Sequence, residues 1–245
     1  MTSGKVWLVG AGPGDIGLMT VRGLALIGEA DVVVYDSLAS KELLEKVRPG
    51  TELINVGKRG GMHKAEQDEI NEILFQQATS GKVVVRLKGG DPFLFGRGGE
   101  EALYLRARGI DVGVVPGVSS SLAVPELAGI PVTHRNVSSG VTIMTGHQME
   151  GGSLNWVSLA RSGSTLVILM GMSNLEMNMY HLMEGGMPSG TPVAVVQEGS
   201  TPRQKVLVTC VEHAYEDCRK NGISAPAIIV VGDVVSLRES LGDLR

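Results

Sequence analysis

Three times in its first half the chain runs a short β-branched stretch straight into glycine: KVWLVGAGPGD (5–15), KVVVRLKGGD (82–91) and IDVGVVPG (110–117). A strand that stops at a glycine turn and hands over to a helix is a βα unit, and repeating it builds a parallel sheet. Two further strand-like runs (30–36 and 51–57) and helical stretches at 20–28, 40–47, 65–80 and 98–109 give five strand–helix alternations. The 34 glycines exceed the usual share of ~7%. They punctuate aliphatic runs, so the backbone must turn tightly or approach something closely many times.

Beyond residue 117 the pattern changes. Strands are expected at 141–147, 165–171, 192–199, 204–210 and 226–235. The third and fourth of these are too close for a crossover helix and should pair antiparallel. The expected fold is therefore α/β with two lobes: a mostly parallel N-terminal sheet over 1–117 and a mixed C-terminal sheet over 118–245. The active site is expected in the cleft between them.

Several function classes fall away. A net charge of −4, with three Phe, four Tyr and two Trp in 245 residues, suits neither the basic face nor the stacking platforms of a nucleic-acid binder. No apolar run reaches the ~18–20 residues of a membrane span, and the first ten residues read as the approach to a strand rather than a leader. Cys210 and Cys218 form neither a disulfide framework nor a zinc pattern, which points to a reducing, cytoplasmic setting. The histidines at 63, 134, 147, 181 and 213 lack metal-ligand spacing, so no metal is expected. Neither a GxSxG elbow nor a GxxxxGK[ST] loop occurs.

Four segments carry the candidate chemistry. GAGPGD (10–15) invites a dinucleotide reading, with Asp36 as the ribose acid. However, Asp15 stands where the third glycine belongs, and Pro13 removes an amide where phosphate wants a donor. A plain tight turn and a ligand without phosphate remain open there. RLKGGDPFLFGRGGEE (86–101) leaves a strand end, where α/β sheets bind ligands. PGVSSS (116–121) repeats that theme, although one serine serves equally as a helix cap. GKRGGMHKAEQDEIN (57–71) gathers basic groups in an acidic chain, either a solvated face or an anion site shared with Arg135. His147 is either a ligand contact or a structural imidazole.

In order and spacing, VGAGPGD, VYD-x-L, VGKRGGMHKAEQDEIN, VRLKGGDPFLFGRGGEE, VPGVSSS, AGIPVTHR, TLVILMG and PAIIVVGDVV resemble the tetrapyrrole (precorrin/corrin) methyltransferase family from residue 5 to 235. GKR-x-G-x-H-x-x-x-Q-x-E-I-N with GIP-x-THR is similar to the branch acting on uroporphyrinogen III rather than to the C11- or C17-acting ones. The chain departs from the family pattern at Ile16, Leu169 and 124–127.

The resemblance implies an enzyme with S-adenosyl-L-methionine (SAM) as methyl donor and S-adenosyl-L-homocysteine as product. It implies contacts to SAM from Pro13, Gly89, Gly90, Asp91, Leu94, Ser119, Ser120, Met170, Gly199 and Ala227. The small-molecule acceptor is a tetrapyrrole methylated at C2 and C7, through precorrin-1 to precorrin-2, feeding sirohaem, cobalamin or related routes. Its carboxylate arms would meet Arg22, Arg59, His63, Arg97, His134 and Arg135, since guanidinium suits bidentate pairing. Asp36 and Lys58 take the roles of proton acceptor and donor. The resemblance also implies a homodimer in its single-activity form, with neither nucleic acid nor membrane as partner.

Overall fold

A computed structural model describes residues 4–36, 40–57, 67–147 and 154–245. The chain divides into two compact units, one running to Ser119 and the other from Ser120 to Arg245.

In the first unit β1 (Lys5–Gly10), β2 (Val32–Tyr35), β3 (Glu52–Asn55), β4 (Val83–Lys88) and β5 (Asp111–Val115) form one sheet in the order β3-β2-β4-β1-β5. Every pairing in it is parallel. The helices α1 (Val21–Glu29), α2 (Lys41–Leu44), α3 (Gln67–Thr79) and α4 (Gly98–Arg106) alternate with the strands. Alternation along β4 sorts its side chains onto two faces. Val85 and Leu87 pack with Ile27 and Leu43 of α1 and α2, while Val84 packs with Leu74 and Leu105 of α3 and α4. Arg86 and Lys88 continue the Val84 face, so two cations enter a layer that is otherwise aliphatic.

The second unit holds α5 (Ser120–Leu127), β6 (Val141–Thr145), α6 (Trp156–Ala160), β7 (Thr165–Leu169), α7 (Leu175–Glu184), β8 (Pro192–Gln197), β9 (Lys205–Cys210), α8 (Ala214–Lys220), β10 (Ala227–Val231) and α9 (Arg238–Leu241). Its sheet order is β6-β7-β10-β8-β9. β6 and β7 run parallel and the other three pairings antiparallel, including β8 with β9 as their spacing requires. The run at 226–235 splits, with β10 stopping at Val231 before a 3₁₀ turn over Asp233–Leu237. Gly232 makes the break at φ 137°, in the left-handed half of the map. One sheet face packs on α7 and α8 through Leu166, Ile168, Met179 and Ile229, the other on α5 through Val124, Val167 and Val230.

Candidate active site

At the carboxyl ends of β1, β4 and β5 the backbone closes on itself. Ala11 N donates to Lys88 O at 2.7 Å, Gly12 N to Gly90 O at 3.2 Å, and Gly90 N to Gly12 O at 2.8 Å. A Cβ on Gly10 would lie 2.5 Å from Gly117 Cα, and one on Gly117 would lie 2.2 Å from Gly90 O. Gly10 and Gly117 are thus required by backbone meeting backbone. That is a different reason from the approach of a ligand.

The same contacts decide between cofactors. The amides of Ala11 and Gly12 are committed to carbonyls and Pro13 has none, so three consecutive positions offer a pyrophosphate no donor. Asp15 turns its carboxylate onto Gly17 N at 2.7 Å, capping the short 3₁₀ turn Ile16–Leu18. A phosphate-free cofactor fits this turn and a dinucleotide does not.

Asp91 organises the next loop. Its Oδ1 accepts from Phe93 N (2.8 Å) and Leu94 N (3.2 Å), and its Oδ2 from Gly117 N (3.1 Å). A carboxylate has about four acceptor positions, so one is left for a ligand hydroxyl or amine. Farther along, Phe95 and Arg97 adopt φ of 53° and 59°. Glu100 grips Arg97 through Nε at 3.0 Å and Nη2 at 2.6 Å. These hydrogen bonds hold the Glu100 carboxyl below, and the Arg97 guanidinium above, their ordinary values.

Asp36 follows the end of β2, with Oδ2 at 3.9 Å from an Arg86 amino group. Behind Arg86 sits a buried cluster. Glu101 Oε1 lies 2.8 Å from Lys88 Nζ, 3.3 Å from Arg86 Nε and 3.2 Å from Gln67 Nε2. Burial, and then the neighbouring Arg86, push the Lys88 ammonium below the ordinary lysine value, against the pull of Glu101. Lys58, Arg59 and His63 lie outside the described residues.

The second unit shapes its loops by backbone conformation. β7 runs antiparallel to β10 and β10 antiparallel to β8, so the carboxyl ends of β7 and β8 share an edge with the start of β10. Met170, 53% exposed, follows β7 at φ 52°. Glu198 and Ser200 flank Gly199 at φ 47° and 63°. Ala227 opens β10 opposite Gln197. Asn174 and Asn178 both donate to Gly146 O, at 3.1 and 3.3 Å, pinning the end of β6 beside Gly171. The 134–138 turn closes through His134 N to Ser138 O at 2.8 Å, leaving His134 and Arg135 exposed. His147 is exposed too, with its backbone N on Thr145 Oγ1. Arg22, on the first unit's α1, stacks 4.9 Å over the Trp7 ring.

Residues 5–214 match the family model described as Tetrapyrrole (Corrin/Porphyrin) Methylases. The chain belongs to the tetrapyrrole methylases. It is 51% identical over 240 residues to the uroporphyrinogen-III C-methyltransferase of Methanocaldococcus jannaschii, covering 97% of this chain and 99% of that one. It is 50% identical over 245 residues to the S-adenosyl-L-methionine-dependent uroporphyrinogen III methyltransferase of Methanosarcina barkeri, covering 99% and 96%. Among solved structures it superposes on the Thermus thermophilus uroporphyrin-III C-methyl transferase complexed with S-adenyl homocysteine. There the TM-score is 0.82 at 37% identity, with 98% and 99% of the two chains covered.

For a tetrapyrrole methylase, then, the first unit gathers Pro13, Gly89, Gly90 and Asp91 at adjoining strand ends, with Leu94 held by Asp91 and Asp36 on Arg86. The second unit gathers Met170, Gly199 and Ala227 on one sheet edge. Ser119 and Ser120 stand at the junction of the chain's two units. Reasoning from sequence alone overlooked Glu101 and Gln67. The available signal was Arg86 and Lys88 at alternate positions of a central strand, two buried cations that demand a counter-charge.

Proposed function

We infer that this tetrapyrrole methylase converts uroporphyrinogen III to precorrin-2 by methylating C2 and then C7, with SAM as donor. The observation that carries the reading is end-to-end likeness, at half identity, to two enzymes named for that substrate. The donor turn, with its amides committed and a proline at its centre, supports a cofactor without phosphate.

SAM supplies the methyl group on an electrophilic sulfonium. Pro13, Gly89, Gly90, Asp91, Leu94, Ser119, Ser120, Met170, Gly199 and Ala227 are the residues assigned to hold it. Asp91 offers its remaining acceptor position, and the glycines offer carbonyls without side chains in the way. Arg22, Arg59, His63, Arg97, His134 and Arg135 bind the acidic arms of the acceptor. In support, Arg22, His134 and Arg135 have no carboxylate within ion-pair distance among the described residues, whereas Arg97 is oriented by Glu100. Asp36 takes the proton released once the ring carbon has been methylated, and Lys58 donates one. Holding two reactants in one geometry supplies much of the acceleration. The protein works as a cytoplasmic homodimer, a setting consistent with its two free thiols.

Anaerobic incubation with SAM and reduced uroporphyrinogen III, followed by mass spectrometry, tests the reading. A gain of two methyl groups is expected. Methylation of a later precorrin but not of uroporphyrinogen III would overturn the substrate assignment.

A further inference from the structure

Glu101 is an odd residue to find at 0% exposure in an aliphatic layer. Its Oε1 serves Lys88, Arg86 and Gln67, while Oε2 is buried with no hydrogen-bond partner among the described residues. Stability does not call for the cluster as a whole, because apolar side chains in place of all its charges would be buried without losing a hydration shell. Its position explains more. Lys88 directly precedes Gly89, Gly90 and Asp91. Glu101 stands in the first turn of α4, next to the Glu100 that orients Arg97. Arg86 faces Asp36 across 3.9 Å, too far for a hydrogen bond and close enough for charge to act. Gln67 is the first residue of α3, where the basic segment 58–66 ends, and it also bonds the buried Asn71 at 3.2 Å. One carboxylate therefore stands at the root of every first-unit stretch that carries an acceptor-side candidate, Arg22 on α1 excepted. The Gln67 and Asn71 of the sequence motif acquire a purpose as its ties.

We propose that Glu101 is a positioning residue for the methyl acceptor: it fixes Arg86 against Asp36 and, through Gln67, fixes the chain where the basic segment ends, without touching substrate. The inference rests on the methyltransferase reading above. Two cations and two carboxylates balance in this cluster. Without the Glu101 charge, Arg86 and Lys88 are left side by side with, among the described residues, Asp36 alone to compensate them.

Three variants test it. Glu101→Gln removes the charge. Glu101→Gln with Lys88→Met removes one buried charge of each sign and so spares the fold. Gln67→Leu cuts the tie from Glu101 to α3, together with the Gln67–Asn71 bond inside that helix, at a half-buried position. SAM affinity by calorimetry, kcat and acceptor KM from the anaerobic assay, and thermal melting are compared with wild type. The double variant is expected to melt cooperatively and to bind SAM within roughly threefold of wild type, while losing about 100-fold in kcat, the size of effect a small misplacement produces. Gln67→Leu is expected to raise acceptor KM about tenfold with SAM affinity unchanged. Wild-type kcat and KM in either variant would make Glu101 a purely structural residue and overturn the proposal. So would a loss of SAM binding that tracks the loss of kcat. If both Glu101 variants fail to fold, Gln67→Leu decides alone. An inactive wild type overturns both the assigned reaction and this role, whereas an active wild type with unaffected variants overturns only the role.

Discussion

β4 in the first unit and β10 in the second hold equivalent places, each paired on both edges and covered by helices on both faces. β10 is Ala227–Val231, and its Ile228, Ile229, Val230 and Val231 are all buried. β4 runs Val-Val-Val and then Arg86-Leu87-Lys88, equally buried. Among the described residues the second unit keeps charge out of its interior, burying only neutral polar groups such as Thr165 and Asn178, and its loops turn at Met170, Glu198 and Ser200. The first unit carries charge into the interior and organises its loops from beneath. Both units turn their loops through left-handed residues, Phe95 and Arg97 in the first and Met170, Glu198 and Ser200 in the second; among the described residues only the first sets them on a platform that carries buried charge.

The comparison is easiest to break at the two platforms. Glu101→Ala leaves Arg86 and Lys88 buried with Asp36 as their one remaining carboxylate among the described residues, and breaking a buried ion cluster in this way costs about 3–5 kcal/mol. Ile229→Val takes one methylene from the dry core and costs about 0.5–1.5 kcal/mol. Urea unfolding of each variant against wild type measures both. A smaller loss for Glu101→Ala than for Ile229→Val would mean that the first unit's interior charges contribute nothing the second unit lacks.

A subtler contrast lies in the glycines of the two sets of loops. A Cβ on Gly117 would meet Gly90 O at 2.2 Å and Gly10 Cα at 2.7 Å, all of it main chain. A Cβ on Gly199 would meet Val124 Cγ1 at 2.3 Å, the end of a side chain. Both alanine variants overpack, at about 1–3 kcal/mol, with Gly117→Ala at the upper end. Adding Val124→Ala should recover part of the loss in Gly199→Ala, because it removes Cγ1 and Cγ2, at 2.3 and 2.6 Å, and leaves only Cβ at 2.9 Å. A double-mutant cycle reads this directly. No single side-chain truncation should rescue Gly117→Ala. Failure of the Val124 rescue would mean that the second unit's loops, too, are fixed by main chain.

These contrasts also mark how far the sequence could be read. Strands were legible because β-branched runs ending in glycine are rarely anything else, and the short gap between β8 and β9 dictated antiparallel pairing. The helices of the second unit were less so. A serine cap in 116–121 announces the start of α5, but Pro125 inside it obscures its extent, and α7, built from Met, Asn, Tyr and His with little periodic contrast, does not announce a helix. In the site, glycine after a strand signalled close approach but not what approaches, and at Gly10 and Gly117 the answer was neighbouring backbone. Asp15 read as hostile to phosphate, and its cap to Gly17 N supplied the reason for an acid there. Arg86 and Lys88 were visible as charges on one strand face. Glu101 comes from the following crossover helix, and no local pattern links it to them.

The smallest expected effect separates the two interiors by the sign of their alkaline titration. Lys88 is held below the ordinary lysine value, first by burial and then by Arg86, with Glu101 opposing. Between that lowered value and the unfolded value near 10.4, the unfolded chain binds more protons than the folded one, so Lys88 makes stability rise with pH. Cys218 in the second unit goes the other way. Burial pushes its thiol up to about 11, so between the unfolded thiol value and 11 the folded chain binds more protons, and stability falls as pH rises. Urea unfolding from pH 8 to 10.5 of wild type, Lys88→Met and Cys218→Ala should show this. Wild type gains on Lys88→Met with rising pH and loses ground to Cys218→Ala over the same window. If both differences stay flat, or share a sign, neither interior titrates as its surroundings require, and the distinction between a charged and a dry platform has to rest on the Glu101 and glycine variants.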